Sequence, residues 1–550
     1  MKQKLLFIGL DGGTFDVLNP FIRDGDMPNL ARLIENGVSG KLESTIPFLT
    51  APAWSSFFTG KNPGAHGLYD FFTQANSTQR KQQFVHFGYI KSKTIWSMLT
   101  KAGKKIGSIN VPVTYPIPNI DGYLICGLMA PPDRITTYPE NLAEELGNQF
   151  DKHDLDISWS RYTKRDIDSF MSKIISSNQQ KREVTLHLMK KFDWDFFITV
   201  FTETDRLQHL LWNYIHNADN KDKDSLKTHK AITQYYRELD KAIGEIITFA
   251  GNNTKVIIMS DHGFGPTEKK VYINSWLEEQ GLLSFYKDKT LSFNNQRRKR
   301  FILYQILKRF DILNIVSKLS SKIKRTPRIL WNYNKVLDCI DWQKTKAYVA
   351  SNTNQGIYIN LKGREPNGIV EPGKEYESVR EAIIKSLQSF LHPVTKEPLV
   401  SHIWKREDIY KGEYVDNAPD ILFILREGAY LVGIQPSKDI FEDVKWESGS
   451  GSHRRDGMFI AHGEDILQGK ECKDAKIIDL APTILHILGI PVPKDIEGRV
   501  LDEIYTENYK KNNPVKYSDE SSASEGKENL HAGKDEDKTI EDILKGLGYI

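Results

Sequence analysis

Four short segments carry carboxylates and imidazoles in a pattern that suits metal-assisted chemistry. Asp11 lies in Gly9-Leu10-Asp11-Gly12-Gly13, where the apolar run from Leu5 to Leu10 ends. Asp205 and His209 follow the run from Phe196 to Phe201 and are four residues apart. On a helix that spacing places both side chains on one face. Asp261-His262-Gly263 follows the run from Val256 to Met259. His453 sits in Gly449-Ser450-Gly451-Ser452-His453-Arg454-Arg455. Carboxylate and imidazole donors in this ratio suit zinc, and also manganese or iron. Two ions about 3.5–4 Å apart need ligands from several strands, which this set can supply. Each segment alone reads equally well as a helix cap or a turn. The four together, three of them at strand ends, point to a metal site.

Thr50 has two readings. Pro52 and the residues after it open a helix that stops at Gly60. Thr50 then stands at its start, where free N–H groups and the positive dipole end favour a phosphate. A threonine there also serves as a plain N-cap. Arg206 and Arg454 each adjoin one of the candidate ligands. Either can grip the anionic groups of a substrate with a bidentate fork, or pair with the site's own carboxylates. Trp54 reads as a core aromatic or a stacking surface, and His66 as structural.

The apolar runs that end in these residues are rich in Phe, Ile and Val and are separated by helical stretches. They predict central strands of a mostly parallel sheet in a doubly wound α/β fold, with functional groups gathered at the carboxyl ends. Helices are expected from Pro28 to Asn36, from Ile95 to Ala102 and from Asp224 to Phe249. Residues 266–345 read as a basic helical insertion, a lid or cap, between two parts of the core at 1–265 and 346–505. Its basic residues include Arg297, Arg298, Arg300 and Arg309, interleaved with Ile302, Leu303, Ile306 and Leu307. That pattern is either a solvated helix face or, over 290–328, a surface for anionic lipid or an anionic substrate. Residues 506–550 read as a disordered linker followed by a short terminal helix at Ile540 to Ile550.

Composition narrows the class. The chain has 550 residues, 39% hydrophobic and 27% charged, enough for a sizeable core. Lys plus Arg total 75 against 72 for Asp plus Glu, a net charge of +3, so a nucleic-acid partner is not expected. Cys126, Cys339 and Cys472 lie far apart without a CxxC pair. That argues against a disulfide framework or a thiolate zinc site and for a reducing compartment. The basic and apolar start breaks at Asp11, too early for a signal peptide. No run reaches the ~18–20 apolar residues of a membrane span. A cytoplasmic location is therefore expected, with membrane association through 290–328 left open.

The order of motifs resembles the alkaline phosphatase superfamily, in its type I phosphodiesterase/nucleotide pyrophosphatase-like branch. It is nearest to the predicted phosphohydrolase/phosphomutase group. The matching stretches are Ile8 to Gly12, Met27-Pro28-Asn29-Leu30, and Thr50-Ala51-Pro52 through Thr59-Gly60 to Pro63-Gly64-Ala65-His66-Gly67. They continue with Asp205…His209, Ser260-Asp261-His262-Gly263, Ser452-His453-Arg454, and Asp479 to Leu485 with Leu488 to Pro491. The resemblance implies two divalent metal ions, zinc first. Asp11, Thr50, Asp261 and His262 would hold one; Asp205, His209 and His453 the other. It further implies that Thr50, activated by its metal, attacks phosphorus and forms a phosphothreonine that water then hydrolyses. The expected activity is hydrolysis of a phosphate mono- or diester of a small molecule, glycan or lipid.

The alternatives are a phosphomutase or phosphotransferase using the same threonine, or a non-catalytic scaffold. A scaffold would be expected to lose ligands, yet all seven positions hold suitable residues. Two departures narrow the substrate. The nucleotide pyrophosphatases have an Asn shortly after the His-Gly pair, whereas His66-Gly67 is followed by Leu68, Tyr69, Asp70, Phe71 and Phe72. That weighs against a nucleotide. Thr50-Ala51-Pro52-Ala53-Trp54 lacks the Cys or Ser and the Arg of the sulfatase motif, which weighs against a sulfate ester. Oligomeric state is not legible in the sequence.

Overall fold

The computed structural model describes residues 3–73, 83–131, 135–149, 162, 166–215, 223–290, 336–444 and 449–522. Strands Lys4–Leu10, Phe196–Phe201 and Thr254–Met259 are buried along nearly their whole length. Both faces of each must therefore be covered, which explains their continuous apolar runs. They form the middle of a ten-stranded sheet. Lys4–Leu10 pairs in parallel with Phe196–Phe201 on one side and Thr254–Met259 on the other. Ile106–Val111 and Gly122–Cys126 continue the parallel set beyond Phe196–Phe201. Asp456–His462 and Thr137–Tyr138 join antiparallel. This is the doubly wound α/β architecture expected.

Helices cover both faces. Phe7 and Gly9, two residues apart, point to the same face. There they meet helix Thr50–Thr59: the Phe7 and Phe57 rings lie 4.9 Å apart. A Cβ at Gly9 would sit 2.7 Å from the Trp54 ring. Trp54 is fully buried and belongs to the core. Helices Ile167–Lys191 and Lys223–Ala250 pack together on the opposite face. The Met27-Pro28-Asn29-Leu30 motif is a clamp on the second of these. Asp240 accepts the Asn29 and Leu30 N–H groups at 3.0 and 2.8 Å, and the Asn29 amide at 2.8 Å.

A second region follows the parallel core. Four strands, Ala347–Tyr348, Gly356–Ile359, Ile421–Leu425 and Val400–Lys405, form an antiparallel sheet under helix Lys374–Gln388. A three-stranded sheet joins Lys269–Tyr272 to Tyr430–Gly433 and Phe441–Asp443. The stretch from residue 266 does not begin as the expected helical lid. Val271, Tyr272, Ile273, Trp276 and Leu277 are buried, so residues 269–290 belong to the folded body. Residues 291–335, with the basic run and most of the 290–328 surface, lie outside the described residues.

The C-terminal boundary also moves. Glu507–Asn512 is helix, and Tyr517–Ser518 pairs in parallel with Val492–Pro493. Asp495 accepts the Ser522 N–H at 2.9 Å. The linker reading of 506–522 is thus corrected: besides these backbone contacts, Tyr509 is buried against Tyr505, and Glu520 pairs with Lys93 and Lys101. Residues 523–550 lie outside the described residues. All three cysteines are buried and unpaired in disulfides. Among the described residues, no helix is long and apolar enough to cross a membrane.

Candidate active site

The carboxyl ends of the three central parallel strands lie side by side, and each delivers its residues to one place. The Lys4–Leu10 strand ends in a tight turn at Asp11-Gly12-Gly13. Gly12 has φ +66°, and a Cβ there would lie 2.9 Å from Phe264. Only glycine fits both constraints. Neighbouring elements lock the turn. Gln208 donates to the Gly12 carbonyl at 2.9 Å, Ser260 to the Gly13 carbonyl at 2.7 Å, and Thr204 to the Asp11 carbonyl at 2.5 Å. The Asp11 N–H donates to the Phe201 carbonyl at 3.0 Å.

Asp205 and His209 are on helix Glu203–Ile215, as their spacing predicts. Asp205 Oδ1 lies 3.4 Å from His209 Nε2 and 3.2 Å from His453 Nε2. The two imidazole Nε2 atoms are 3.1 Å apart. His453 arrives on strand Gly451–Arg454, paired antiparallel with Gly263–Pro266 directly after His262. The His262 and His453 rings stack with centroids 3.6 Å apart. His262 Nε2 is 3.6 Å from Asp11 Oδ1 and 3.3 Å from Asp261 Oδ2. Thus all four segments converge.

The structure groups donor atoms of Asp11, Asp261 and His262 within 4.8 Å of one another, and those of Asp205, His262 and His453 likewise. His262 touches both trios, whereas the resemblance assigns it to one. His209 completes the second set through the distances above.

Thr50 is fully buried as the first residue of helix Thr50–Thr59. The turn before it is tied to the imidazole side of the site, because the Phe48 carbonyl lies 3.2 Å from His453 Nδ1. His66, also fully buried, hydrogen-bonds Ser56 at 2.9 Å on the same helix. Burial pushes its pKa down to about 3, so it is a neutral structural histidine.

The arginines make their contacts within the protein. Arg206 is fully buried, with its guanidinium on the adjacent Asp205 carboxylate. Arg454 donates to the backbone carbonyls of Ser452, His453 and Pro266 and to the Ser452 hydroxyl. It lies across Gly265, where a Cβ would come within 2.5 Å of its Nε. Burial lowers its pKa to about 10. Of the two readings the sequence allows, Arg206 makes the contact of the second, pairing with a carboxylate of the site itself. Local sequence shows a charge but not what it packs on.

A metal ion suits the site's chemistry. Each imidazole has its Nδ1 beside a backbone carbonyl: His209 on Gly451 at 3.0 Å, His262 on Gly263 at 3.1 Å, and His453 on Phe48 at 3.2 Å. That fixes the proton on Nδ1 and leaves Nε2 facing inward as a lone-pair donor. Burial holds His262 well below its usual pKa and lowers His453. Both are therefore neutral, as ligands must be. Asp261 Oδ2 and His262 Nε2 are buried and make no hydrogen bond among the described residues. Burial pushes the Asp261 carboxyl up to about 7, against the Gly12 N–H that donates to Oδ1 at 3.2 Å. Burial alone would also raise Asp205, but its neighbours His209 and Arg206 hold it well below the usual range. Buried carboxylate and imidazole lone pairs without donors are what a cation would satisfy.

Three positioning residues escaped the sequence reading: Thr204, Gln208 and Ser260. The signal was there for two of them. Thr204 and Gln208 repeat the four-residue spacing of Asp205 and His209 one position earlier. They therefore stand on the adjoining helix face, toward the Asp11 turn.

Comparison with known proteins agrees with this geometry. The family model for type I phosphodiesterase/nucleotide pyrophosphatase matches residues 5–450. The chain belongs to that family, and it is a phosphoric ester hydrolase. Among solved structures, phosphonoacetate hydrolase from Sinorhizobium meliloti 1021 superposes with a TM-score of 0.53 at 15% identity, covering 87% of this chain and 94% of that one. Human ectonucleotide pyrophosphatase/phosphodiesterase 5 gives 0.49 at 14% identity, covering 89% and 95%. At this identity the first likeness establishes the alkaline phosphatase-like fold.

Proposed function

We propose that this protein is a metal-dependent phosphohydrolase that cleaves a phosphate mono- or diester through Thr50. The observation that carries the proposal is the inward convergence of carboxylate oxygens and Nε2 atoms from four separate segments, each imidazole oriented by a backbone carbonyl. Asp11, Asp261 and His262, with Thr50, would hold one divalent ion, and Asp205, His209 and His453 another. Zinc suits this donor set best, with manganese or iron next. Bound ions would neutralise the phosphoryl oxygens and lower the pKa of a coordinated hydroxyl.

The chain's own residues do the rest. Thr50 Oγ attacks phosphorus, the ester P–O bond breaks, and the alcohol departs. The start of its ten-residue helix favours the negative charge of the phosphoryl group. Water then cleaves the phosphothreonine and restores the hydroxyl. The locked Asp11 turn and the packing of Trp54 against Gly9 hold nucleophile and carboxylate on one rigid base.

The test is turnover of p-nitrophenyl phosphate and bis-p-nitrophenyl phosphate by wild type, Thr50→Ala and Thr50→Ser after loading with divalent metal. The reading expects activity in wild type, none in Thr50→Ala and partial recovery in Thr50→Ser. Full activity in Thr50→Ala would overturn it. Phosphoryl transfer to an added alcohol without hydrolysis would recast the enzyme as a transferase.

A further inference from the structure

Helix Ile167–Lys191 carries a buried polar stripe. Ser177, Lys181 and Thr185 follow one another at four-residue intervals, so they stand on one side of the helix. All three are buried, Lys181 and Thr185 completely. The stripe meets strand Phe196–Phe201 and the turn after it. Thr185 shares a hydrogen bond of 3.1 Å with Thr199 in the strand. The Lys181 ammonium lies 5.7 Å from the centre of the Phe201 ring, where the strand ends. It donates to both carboxylate oxygens of Glu203, at 2.9 and 3.0 Å. Ser177 donates to Glu203 Oε1 at 2.6 Å.

Glu203 is the first residue of helix Glu203–Ile215, the element that carries Asp205 and His209. Its side chain is buried. Thr204, beside it, donates to the Asp11 carbonyl. The first turn of the ligand-bearing helix is therefore held from two directions, by Glu203 toward helix Ile167–Lys191 and by Thr204 toward the Asp11 turn. Asp205 lies in that same turn, so any rotation of the turn swings its carboxylate. A buried Lys–Glu pair is a poor source of stability. Removing two charges from water offsets most of their attraction, and apolar residues of similar volume often do as well or better. What the pair supplies is direction. Apolar contacts let a helix slide or turn slightly, whereas a forked, charge-assisted hydrogen bond fixes one orientation.

We infer that Lys181 and Glu203, with Ser177, are positioning residues: they set the orientation of Asp205 and His209, and with it the affinity for the cation those two and His453 would hold. The inference rests on the proposed metal-dependent reading. It is tested on the full chain with zinc alone as the probe, the two affinities being measured by competition with a chromogenic chelator. His209→Ala identifies which affinity belongs to the Asp205 set. Lys181→Met/Glu203→Leu removes both charges together and leaves neither buried alone. Without metal this double variant should melt within about 5 °C of wild type or above it. Its Asp205-set ion should bind about 10–100-fold more weakly, the loss typical of groups behind metal ligands, while the other ion changes by less than about threefold. Ser177→Ala removes one bond and no charge, and should weaken the same ion about threefold. Unchanged affinity in the double variant would overturn the inference. So would weakening of both ions to the same degree, which is what general loosening gives. If the double variant does not fold, Ser177→Ala decides, and wild-type affinity there overturns the inference. The two readings fail separately. Wild type that binds no zinc would sink the metal-dependent reading and this inference with it. Two ions bound equally tightly by wild type and by the folded double variant would sink this inference alone.

Discussion

Asp261 and Asp420 are both fully buried aspartates, yet their surroundings are opposite. Asp420 lies in the second region and is saturated with donors. It accepts Arg364 Nη1 and Nη2 at 2.7 and 2.6 Å, the Tyr376 hydroxyl at 2.7 Å and the Ile359 N–H at 2.6 Å. Burial would raise its pKa, but these bonds and the Arg364 charge hold it below the usual range. Asp261 receives the Gly12 N–H on Oδ1 and has no lysine or arginine partner among the described residues, its Oδ2 lying 3.3 Å from the neutral His262, and burial raises its pKa to about 7. The first carboxylate completes a structural hub. The second has been taken out of water with far fewer donors and no guanidinium, which is costly for a charge. Under the proposed reading a cation fills the gap. What marks a candidate ligand is therefore not burial but the lack of donors around it.

The largest test of this contrast is catalytic. Asp261→Asn should lower kcat/KM for an aryl phosphate by about a hundredfold or more, since even residues behind metal ligands cost 10–100-fold. Asp420→Asn should leave kcat within about threefold when assayed well below its melting temperature, because no step involves it. Equal losses would erase the distinction between the two sites.

Stability should show the reverse order. Asp420→Asn breaks the hub and leaves the partly buried Arg364 only Glu365, at 3.4 Å, as a charge partner; it should cost about 3 kcal/mol. Asp261→Asn removes a buried charge that has no lysine or arginine partner among the described residues. In metal-free protein at pH 8 it should stabilise by about 1–3 kcal/mol. Chemical denaturation of both variants checks the opposite signs.

The pH dependence sharpens the same point. Folding raises the Asp261 pKa above its unfolded value near 4, so the folded state binds that proton more tightly. Its contribution to metal-free stability is thus lost as pH rises from about 4 to about 7. Folding lowers the Asp420 pKa, so the stability it supplies is present above about pH 4 and is lost on acidification. Melting temperatures of wild type and Asp261→Asn should accordingly converge toward pH 4 and separate toward pH 8. A gap that stays constant with pH would contradict the raised carboxyl.

The smallest effect is expected at Ser260, whose hydroxyl ties the Asp261 segment to the Asp11 turn. Ser260→Ala should cost about 1 kcal/mol of stability and reduce kcat about tenfold. Activity unchanged within error would show that the turn holds itself.

The contrast also explains what the sequence made legible. Strands Lys4–Leu10, Phe196–Phe201 and Thr254–Met259 announce themselves because burial on both faces demands continuous apolar runs. Asp11, Asp205 and Asp261-His262 stand where those runs stop, so their convergence could be read. His453 stands at the end of no apolar run, so only its residue type suggested grouping it with them; its place depends on pairing with Gly263–Pro266 across nearly 190 residues. The arginines could not be read. Whether Arg206 meets substrate or Asp205 depends on its complete burial, which no local pattern encodes. The Asp420 hub was missed because Arg364, Tyr376 and Ile359 assemble from separate elements without a motif. Residues 506–522 looked like linker because a polar stretch is held by backbone pairing, the single buried ring of Tyr509 and ion pairs such as Lys101–Glu520, which composition does not register.

The most direct test of the cation account is elemental analysis of the purified full chain, combined with melting curves before and after chelation. The account predicts two divalent ions per chain, a fall in melting temperature on chelation, and recovery of both on adding zinc. No bound metal after reconstitution, with a melting temperature indifferent to chelator and zinc alike, would contradict it.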